Sequence, residues 1–315
     1  MADAGGTLTF SQRLRLARGA AGVYLFFISY GRLQERVFGF RGAGEKRFHY
    51  IWFFQMVDAL GNALVGLAGR TAVGATAGRG VPHQLLALNG ISQVASKWCF
   101  NKALSAGLSF YIATMAKSMK LVPVMVGSLL AGRAAFTARQ VAQAACIAGG
   151  TTMVSLAEGS SKSGASTAKG LVLILVALAG DGVTGGLQRR TKRYHQEEGV
   201  QEVAFDQMMW VNLYMAAMAG AAAVATGELG AGARYCKKNP AVARLMVQAA
   251  LCGALGQACI YDIIANFDNV LCTAITTTRK LASVLISVRG ATAPLPPTAR
   301  LGIALSSVGM LGEAL

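Results

Sequence analysis

Two pairs of cations lie in the middle of long apolar segments, where a charge needs a compensating partner. Lys117 and Lys120 are three residues apart and therefore share one face of a helix. Arg279 and Lys280 lie at the centre of a second apolar segment. A cation at the centre of a bilayer costs about 2.5–3.5 kcal/mol on insertion scales, whereas Lys and Arg together can neutralise a phosphate or diphosphate. The spacing therefore predicts a cationic pocket for a polyanion.

Ion pairing inside the protein is the alternative explanation for these cations. The carboxylates that could pair with them are Glu35, Asp58, Asp181 and Asp262. Adjacent residues on a helix point about 100° apart, so Arg279 and Lys280 need not face the same space.

Polar and aromatic side chains in the same segments are candidates for contacts with a base or sugar. Gln34 and Gln257 could hydrogen-bond a ribose, base or sugar hydroxyl, or could bridge two helices. Tyr30 could stack on a base or simply pack. Thr276 and Thr277 could reach a cavity or bond to carbonyls of their own helix. All five are predicted substrate contacts.

The sequence carries no pattern typical of a metal, cofactor or catalytic centre. It has three His, and its six Cys form no CxxC pair, so no metal is expected and the cysteines are interpreted as packing residues. HExxH, P-loop and GxSxG motifs are absent. We expect neither a cofactor nor an enzymatic activity.

Composition places these residues in a membrane. Hydrophobic residues make up 54% of the 315 residues and charged residues 14%, and mean hydropathy is +0.46, whereas soluble domains carry about 25% charged residues. The net charge of +16 then favours lipid headgroups and an anionic solute over nucleic acid. An all-α protein is predicted, with residues 1–16 as an N-terminal cytosolic segment and 17–315 as a single transmembrane transporter domain. The ten predicted helices are 17–38, 47–69, 83–102, 104–130, 137–157, 169–190, 204–226, 240–265, 269–288 and 297–314.

Short matches recur in the same order in the two halves of the chain. They pair Leu33-Gln34 with Leu187-Gln188, Lys120-Leu121 with Lys280-Leu281, and Thr137-Ala138 with Thr298-Ala299. They predict two five-helix repeats, 17–157 and 169–315. An odd number of helices inverts the second repeat, an arrangement that places a transporter's binding site near the membrane midplane.

Six segments resemble solute carrier family 35, the nucleotide-sugar transporters, within subfamily B, and look most like the endoplasmic-reticulum UDP-galactose transporter homologues. The segment Ile275-Thr276-Thr277-Thr278-Arg279-Lys280 is the most specific. The six matching segments are 30–36, 117–125, 181–185, 226–229, 254–257 and 275–280.

The resemblance implies a drug/metabolite-transporter fold of ten helices in the membrane of the endoplasmic reticulum or Golgi. It also implies antiport of a nucleotide-sugar, UDP-galactose or UDP-glucose, for a nucleoside monophosphate. The resemblance further implies that the phosphates of the nucleotide-sugar are held by Lys117, Lys120, Arg279 and Lys280. Repulsion among these cations in an empty site would couple the exchange.

Two alternatives stay open at this point. One is a carrier of the same fold for ATP/ADP or for adenosine phosphosulfate, whose phosphates suit the same cations. The other is a membrane scaffold that transports nothing. The sequence predicts no oligomeric state.

Overall fold

The computed structural model describes residues 9–42, 47–72, 81–106, 108, 110–118, 137–159, 164–198, 204–267, 269–289 and 296–314. Within these residues the regular elements are all α-helices, as predicted, apart from one isolated antiparallel bridge. The eleven described helices are α1 (Phe10–Gly39), α2 (Ile51–Ala72), α3 (His83–Ser105), α4 (Phe110–Ser118), α5 (Ala138–Gly159), α6 (Gly164–Glu197), α7 (Ala204–Ala225), α8 (Glu228–Lys238), α9 (Pro240–Asn266), α10 (Asn269–Arg289) and α11 (Pro297–Ala314).

Four segments are long and apolar enough to cross a bilayer by length and composition alone: Ile51–Ala72, Lys169–Glu197, Phe205–Ala225 and Pro240–Ile263. The surface agrees with a membrane location, because large apolar side chains such as Leu64, Val172 and Val224 face outwards. Amides and carboxylates, Asp58 and Asn89 among them, are buried instead. Apolar outside and polar inside is the pattern of a multi-pass membrane protein, which confirms the predicted class.

Several helix boundaries depart from the predictions: α1, for example, begins at Phe10, inside the segment 1–16 that was predicted to precede the first helix. The second predicted helix starts at 47, but α2 starts at Ile51 because Arg47 pairs with Arg41 in an antiparallel bridge. The N–H of Phe48 donates to the carbonyl of Phe40 at 3.0 Å, which keeps this segment extended. The predicted helix 104–130 begins at Phe110 and is described only to Ser118, so Lys120 lies outside the described residues.

Helix α8 is an element that the sequence analysis did not predict. A turn at Gly227, whose φ is +72°, separates it from α7; only glycine adopts this left-handed conformation without strain. The buried Tyr235 of α8 packs against Phe40, Phe48 and Tyr50 at ring distances of 5.7 to 6.5 Å. The turn between α1 and α2 is thereby fixed to α8.

Each of the most extensive packing interfaces joins helices that are distant in sequence. They are α1 with α9, α3 with α6, α2 with α7, α5 with α11, α2 with α9 and α3 with α7. The α5–α11 crossing is closest where Gly150 meets Gly302, since a Cβ on either glycine would collide with backbone of the other helix. Small residues permit such close approach between membrane helices.

Candidate functional site

Lys117, at the end of α4, forms an ion pair with Asp181 in the middle of α6. Its Nζ lies 3.2 Å from the Asp181 Oδ2, and each side chain is about a third exposed. The same ammonium lies 5.1 Å from the centre of the Phe100 ring on α3, a cation–π distance. Lys117 therefore bridges three helices, and Asp181 balances its charge.

Helix α3 holds the other side of Asp181. The hydroxyl of Ser96 donates to the Asp181 Oδ1 and also lies 2.9 Å from the carbonyl of Ala177. One turn earlier, Ser92 Oγ lies 2.8 Å from the Thr184 hydroxyl. These contacts fix the register of α3 against α6.

A second carboxylate–ammonium pair lies next to the first along α3. Lys97 Nζ is 3.2 Å from the Oδ2 of Asp58 on α2, and the Asp58 side chain is only 4% exposed. A Cβ at Gly253 would lie 3.1 Å from the Tyr30 ring and 3.4 Å from Asp58 Oδ1, so tyrosine and carboxylate are neighbours. Among the described residues, Asp58 Oδ1 has no hydrogen-bond partner.

Arg279 lies between α10 and α1 in a different environment. Its guanidinium is 4.8 Å from the centre of the Phe27 ring. Its Nε is buried and has no hydrogen-bond partner within the described part of the chain. The neighbouring Thr278 accepts a hydrogen bond of 2.7 Å from the hydroxyl of Tyr24, and this bond ties the two helices together. A buried guanidinium N–H with no acceptor is suited to an anionic oxygen.

The remaining predicted contacts divide into bridging and half-buried groups. The amide of Gln34 is buried and donates to Asn101 Oδ1 at 2.6 Å, so in this structure it bridges α1 and α3. Gln257 is half-buried on α9, one turn after the glycine that faces Tyr30. Thr277 is buried, and Thr276 and Lys280 are half-buried on α10.

The structure thus places several of the predicted residues in two groups, each of which includes a residue of α1. Tyr30, the Asp58–Lys97 pair and the Lys117–Asp181 pair form a polar band across α1, α2, α3, α4 and α6. Arg279 lies on α10, against the ring of Phe27 on α1.

Lys97 is a charged residue of this band that the sequence analysis did not single out. The signal was present, since Lys97 is a cation well inside the predicted span 83–102. The charges of the band compensate one another. Lys97 and Lys117 are each paired with a carboxylate, and an anion that enters the band could replace that carboxylate. The described residues contain no group of three His, Cys, Asp or Glu side chains that could hold a metal ion.

Comparison with known proteins gives a family model and several relatives. The model of the UAA transporter family matches residues 15–314. A Drosophila melanogaster protein, solute carrier family 35 member B1 homolog, is 28% identical over 89% of this chain and 84% of its own. The Arabidopsis thaliana UDP-galactose/UDP-glucose transporter 3 is 29% identical over 87% and 84%.

A third relative carries a different name. Human adenosine 3'-phospho 5'-phosphosulfate transporter 1 is 27% identical over 90% of this chain and 66% of its own. One solved crystal structure aligns with a TM-score of 0.54 over 93% of this chain and 97% of its own, at 15% identity. That likeness shows the fold alone.

Proposed function

The chain belongs to the UAA transporter family, and on that premise we propose that it exchanges UDP-galactose or UDP-glucose for a nucleoside monophosphate across the membrane of the endoplasmic reticulum or Golgi. The observation that carries the proposal is the match of the family model over residues 15–314. The Arabidopsis relative, a UDP-galactose/UDP-glucose transporter, supports the choice of sugar.

Helix packing supports two inverted five-helix repeats, 17–157 and 169–315. When α1 to α5 are matched in order with α6, α7, α9, α10 and α11, the interface of α1 with α9 corresponds to that of α6 with α3. The interface of α2 with α9 corresponds to that of α7 with α3, while α2–α7 and α5–α11 map onto themselves. This pattern supports a pseudo-twofold relation between the repeats; because each repeat would have an odd number of spans, its axis would lie in the membrane plane, with α8 as an addition to the second repeat.

The substrate phosphates would be held by cations of α4 and α10. Arg279 supports this assignment most directly, because its buried Nε lacks an acceptor among the described residues. Lys117, Lys280 and the undescribed Lys120 complete the proposed set. The proposed contacts with base and sugar are Tyr30, Gln34, Gln257, Thr276 and Thr277.

The Lys117–Asp181 pair changes the explanation for exchange. Repulsion between unpaired cations loses its Lys117 contribution, because Asp181 neutralises this lysine at 3.2 Å. A substrate phosphate would instead replace the Asp181 carboxylate beside Lys117. The carboxylate would pair with Lys117 again when the phosphate leaves. Without substrate, the Lys117–Asp181 ion pair stabilises one conformation of the protein. Binding of a second nucleotide then breaks this pair faster than it breaks spontaneously.

Carriage of adenosine phosphosulfate is the second candidate, favoured by the human relative of that name. The same cations would hold its phosphates. ATP/ADP exchange by the same site is tested in parallel.

Reconstituted proteoliposomes test the proposal. Labelled UDP-galactose should enter vesicles preloaded with UMP at least tenfold faster than empty vesicles, and unlabelled UDP-glucose should compete. Adenosine phosphosulfate or ATP as the preferred competitor would replace the UDP-sugar assignment. Absence of uptake and of nucleotide-induced thermal stabilisation would favour a scaffold.

Arg279→Gln is the matching variant, and Arg244→Gln, an exposed position on α9, is its control. Arg279→Gln should abolish exchange with expression unchanged. Equal activity of the two variants would remove Arg279 from the site.

A further inference from the structure

An open cavity of about 1010 Å³ lies at one end of the bundle, away from the polar band. Residues 81–85, at the N-terminus of α3, line one side of it. Arg190, Arg193 and Glu197, near the C-terminus of α6, line the other. None of the proposed substrate contacts that the structure describes lines this cavity, so we treat its chemistry separately from that of the exchange site.

The length of α6 brings the arginines to the membrane surface. Its 34 residues extend about 51 Å at 1.5 Å per residue, whereas the hydrocarbon core is about 30 Å thick. The helix therefore continues past the apolar region into water. The lining residues 186, 190, 193, 194 and 197 recur at the spacing of one helix face. Arg190 and Arg193 are thus held on the face that looks towards α3.

The opposite wall is also electropositive. Helix α3 begins after Pro82, which provides no side-chain hydrogen bond to cap it. The N–H of His83 donates to the carbonyl of Val81 at 2.9 Å, so the first-turn N–H groups left to bind a ligand are those of Gln84 and Leu85, where the macrodipole places partial positive charge. Glu197 is the one carboxylate among the described residues of the lining, and it cannot balance two guanidinium groups and a helix N-terminus.

Aromatic residues mark the level of this cavity as the membrane–water interface. His83, in the lining, lies 4.7 Å from the Trp210 ring, and its Nδ1 is 3.0 Å from the Tyr214 hydroxyl. Trp and Tyr concentrate where a bilayer meets water. Both a lipid headgroup and a solute in water can reach this position.

We propose that this cavity binds a phosphate-bearing anion between Arg190, Arg193 and the uncapped N-terminus of α3. The phosphate oxygens accept from both guanidinium groups, whose planar forks suit them, and from the N–H groups of Gln84 and Leu85 in the first turn of α3. The anion offsets the repulsion between the two arginines and fixes the projecting end of α6 against α3. A lipid headgroup and a soluble phosphate share this chemistry, and the test distinguishes them.

Binding is measured on the purified full chain in neutral detergent by thermal stabilisation. The probes are dioctanoyl phosphatidic acid, inorganic pyrophosphate and, as the neutral comparison, dioctanoyl phosphatidylcholine. The variant Arg190→Gln/Arg193→Gln removes two cations from the cavity. The control Lys169→Gln/Lys192→Gln removes two exposed cations of the same helix that do not line it.

The arginine double variant should weaken anion binding at least tenfold, since each charge-assisted hydrogen bond contributes about a factor of ten. The lysine double variant should change it less than twofold. Binding of phosphatidic acid but not pyrophosphate identifies a lipid headgroup, and the reverse identifies a soluble anion.

A gain-of-binding variant keeps the test decisive if the arginine double variant fails to fold. Glu197→Gln removes the competing carboxylate and should strengthen binding of the same probe about threefold or more. Equal losses in the two double variants, no binding of either anion, or no gain with Glu197→Gln would overturn the proposal. Pyrophosphate can also bind the proposed exchange site, so the deciding readout is the comparison among these variants, none of which changes a proposed substrate contact.

Discussion

Replacing Lys97 with methionine tests the buried ion pair between α3 and α2. Methionine keeps most of the side-chain volume and removes the ammonium that lies 3.2 Å from Asp58. At this separation, with an effective dielectric constant of 20, the attraction is about 5 kcal/mol before desolvation is subtracted. Loss of one partner of a buried pair typically costs about 3–5 kcal/mol.

The exposure of the pair reduces this cost. Asp58 is 4% exposed but Lys97 is 35% exposed, so water screens one end, and we expect a loss of about 2–3 kcal/mol in unfolding free energy. At about 2–4 °C per kcal/mol, Lys97→Met should melt about 4–12 °C below the unmodified protein. Fluorescence-monitored melting in detergent measures this directly.

A second substitution separates the pair from general packing. Adding Asp58→Asn removes the stranded charge, so the double variant should recover at least half of the lost stability. Lys102→Met makes the same chemical change at an exposed position of α3 and should shift melting by 1–2 °C at most. If Lys97→Met matches Lys102→Met, or if the double variant is less stable than Lys97→Met, the electrostatic explanation is refuted.

Three further predictions follow from individual contacts. Gly150→Ala should destabilise the protein by about 1–3 kcal/mol, because its Cβ would collide with α11, whereas Gly182→Ala, in open space, should be neutral or stabilising by up to about 1 kcal/mol; equal melting of the two would contradict the packing. Burial raises the pKa of the Cys236 thiol, so iodoacetamide should label it more slowly at pH 7 than in the denatured chain, with the rate increasing to pH 9; peptide mass spectrometry measures this, and equal rates would disprove it. Arg279→Lys keeps the charge but loses the planar contact with Phe27, so exchange should fall about tenfold in proteoliposomes rather than vanish; unchanged activity would exclude a role for the guanidinium geometry.

Helices were predictable here because a bilayer leaves the backbone few alternatives. Without water to bond N–H and C=O groups, a long apolar segment must become helical, and ten of the described helices overlap predicted ones. The ends were less predictable. Helix α6 runs to Glu197 instead of 190, since its final turns lie beyond the apolar core. Helix α8 was missed because its 11 residues are too few and too polar to resemble a span.

Side-chain partners could not be read from the sequence in the same way. Asp181 was available as a partner for Lys117, but so were three other carboxylates, and the choice depends on how each helix is rotated about its axis. The pairing of Asp58 with Lys97 depends likewise on the register of α2 against α3. The positions of the cations in the sequence showed that they need a compensating charge. The packing of the helices determines which carboxylate provides it.

Two consecutive residues of α3 form contacts with two different helices. Lys97 holds Asp58 on α2, and Ser96 holds Asp181 on α6, so one short stretch of helix is anchored to both halves of the chain. If the two halves move relative to each other, α3 must either move with one half and lose its contact with the other, or keep both contacts and move both partners. The order in which these two contacts break would then determine the direction of the movement, and the weaker contact would determine where the movement begins.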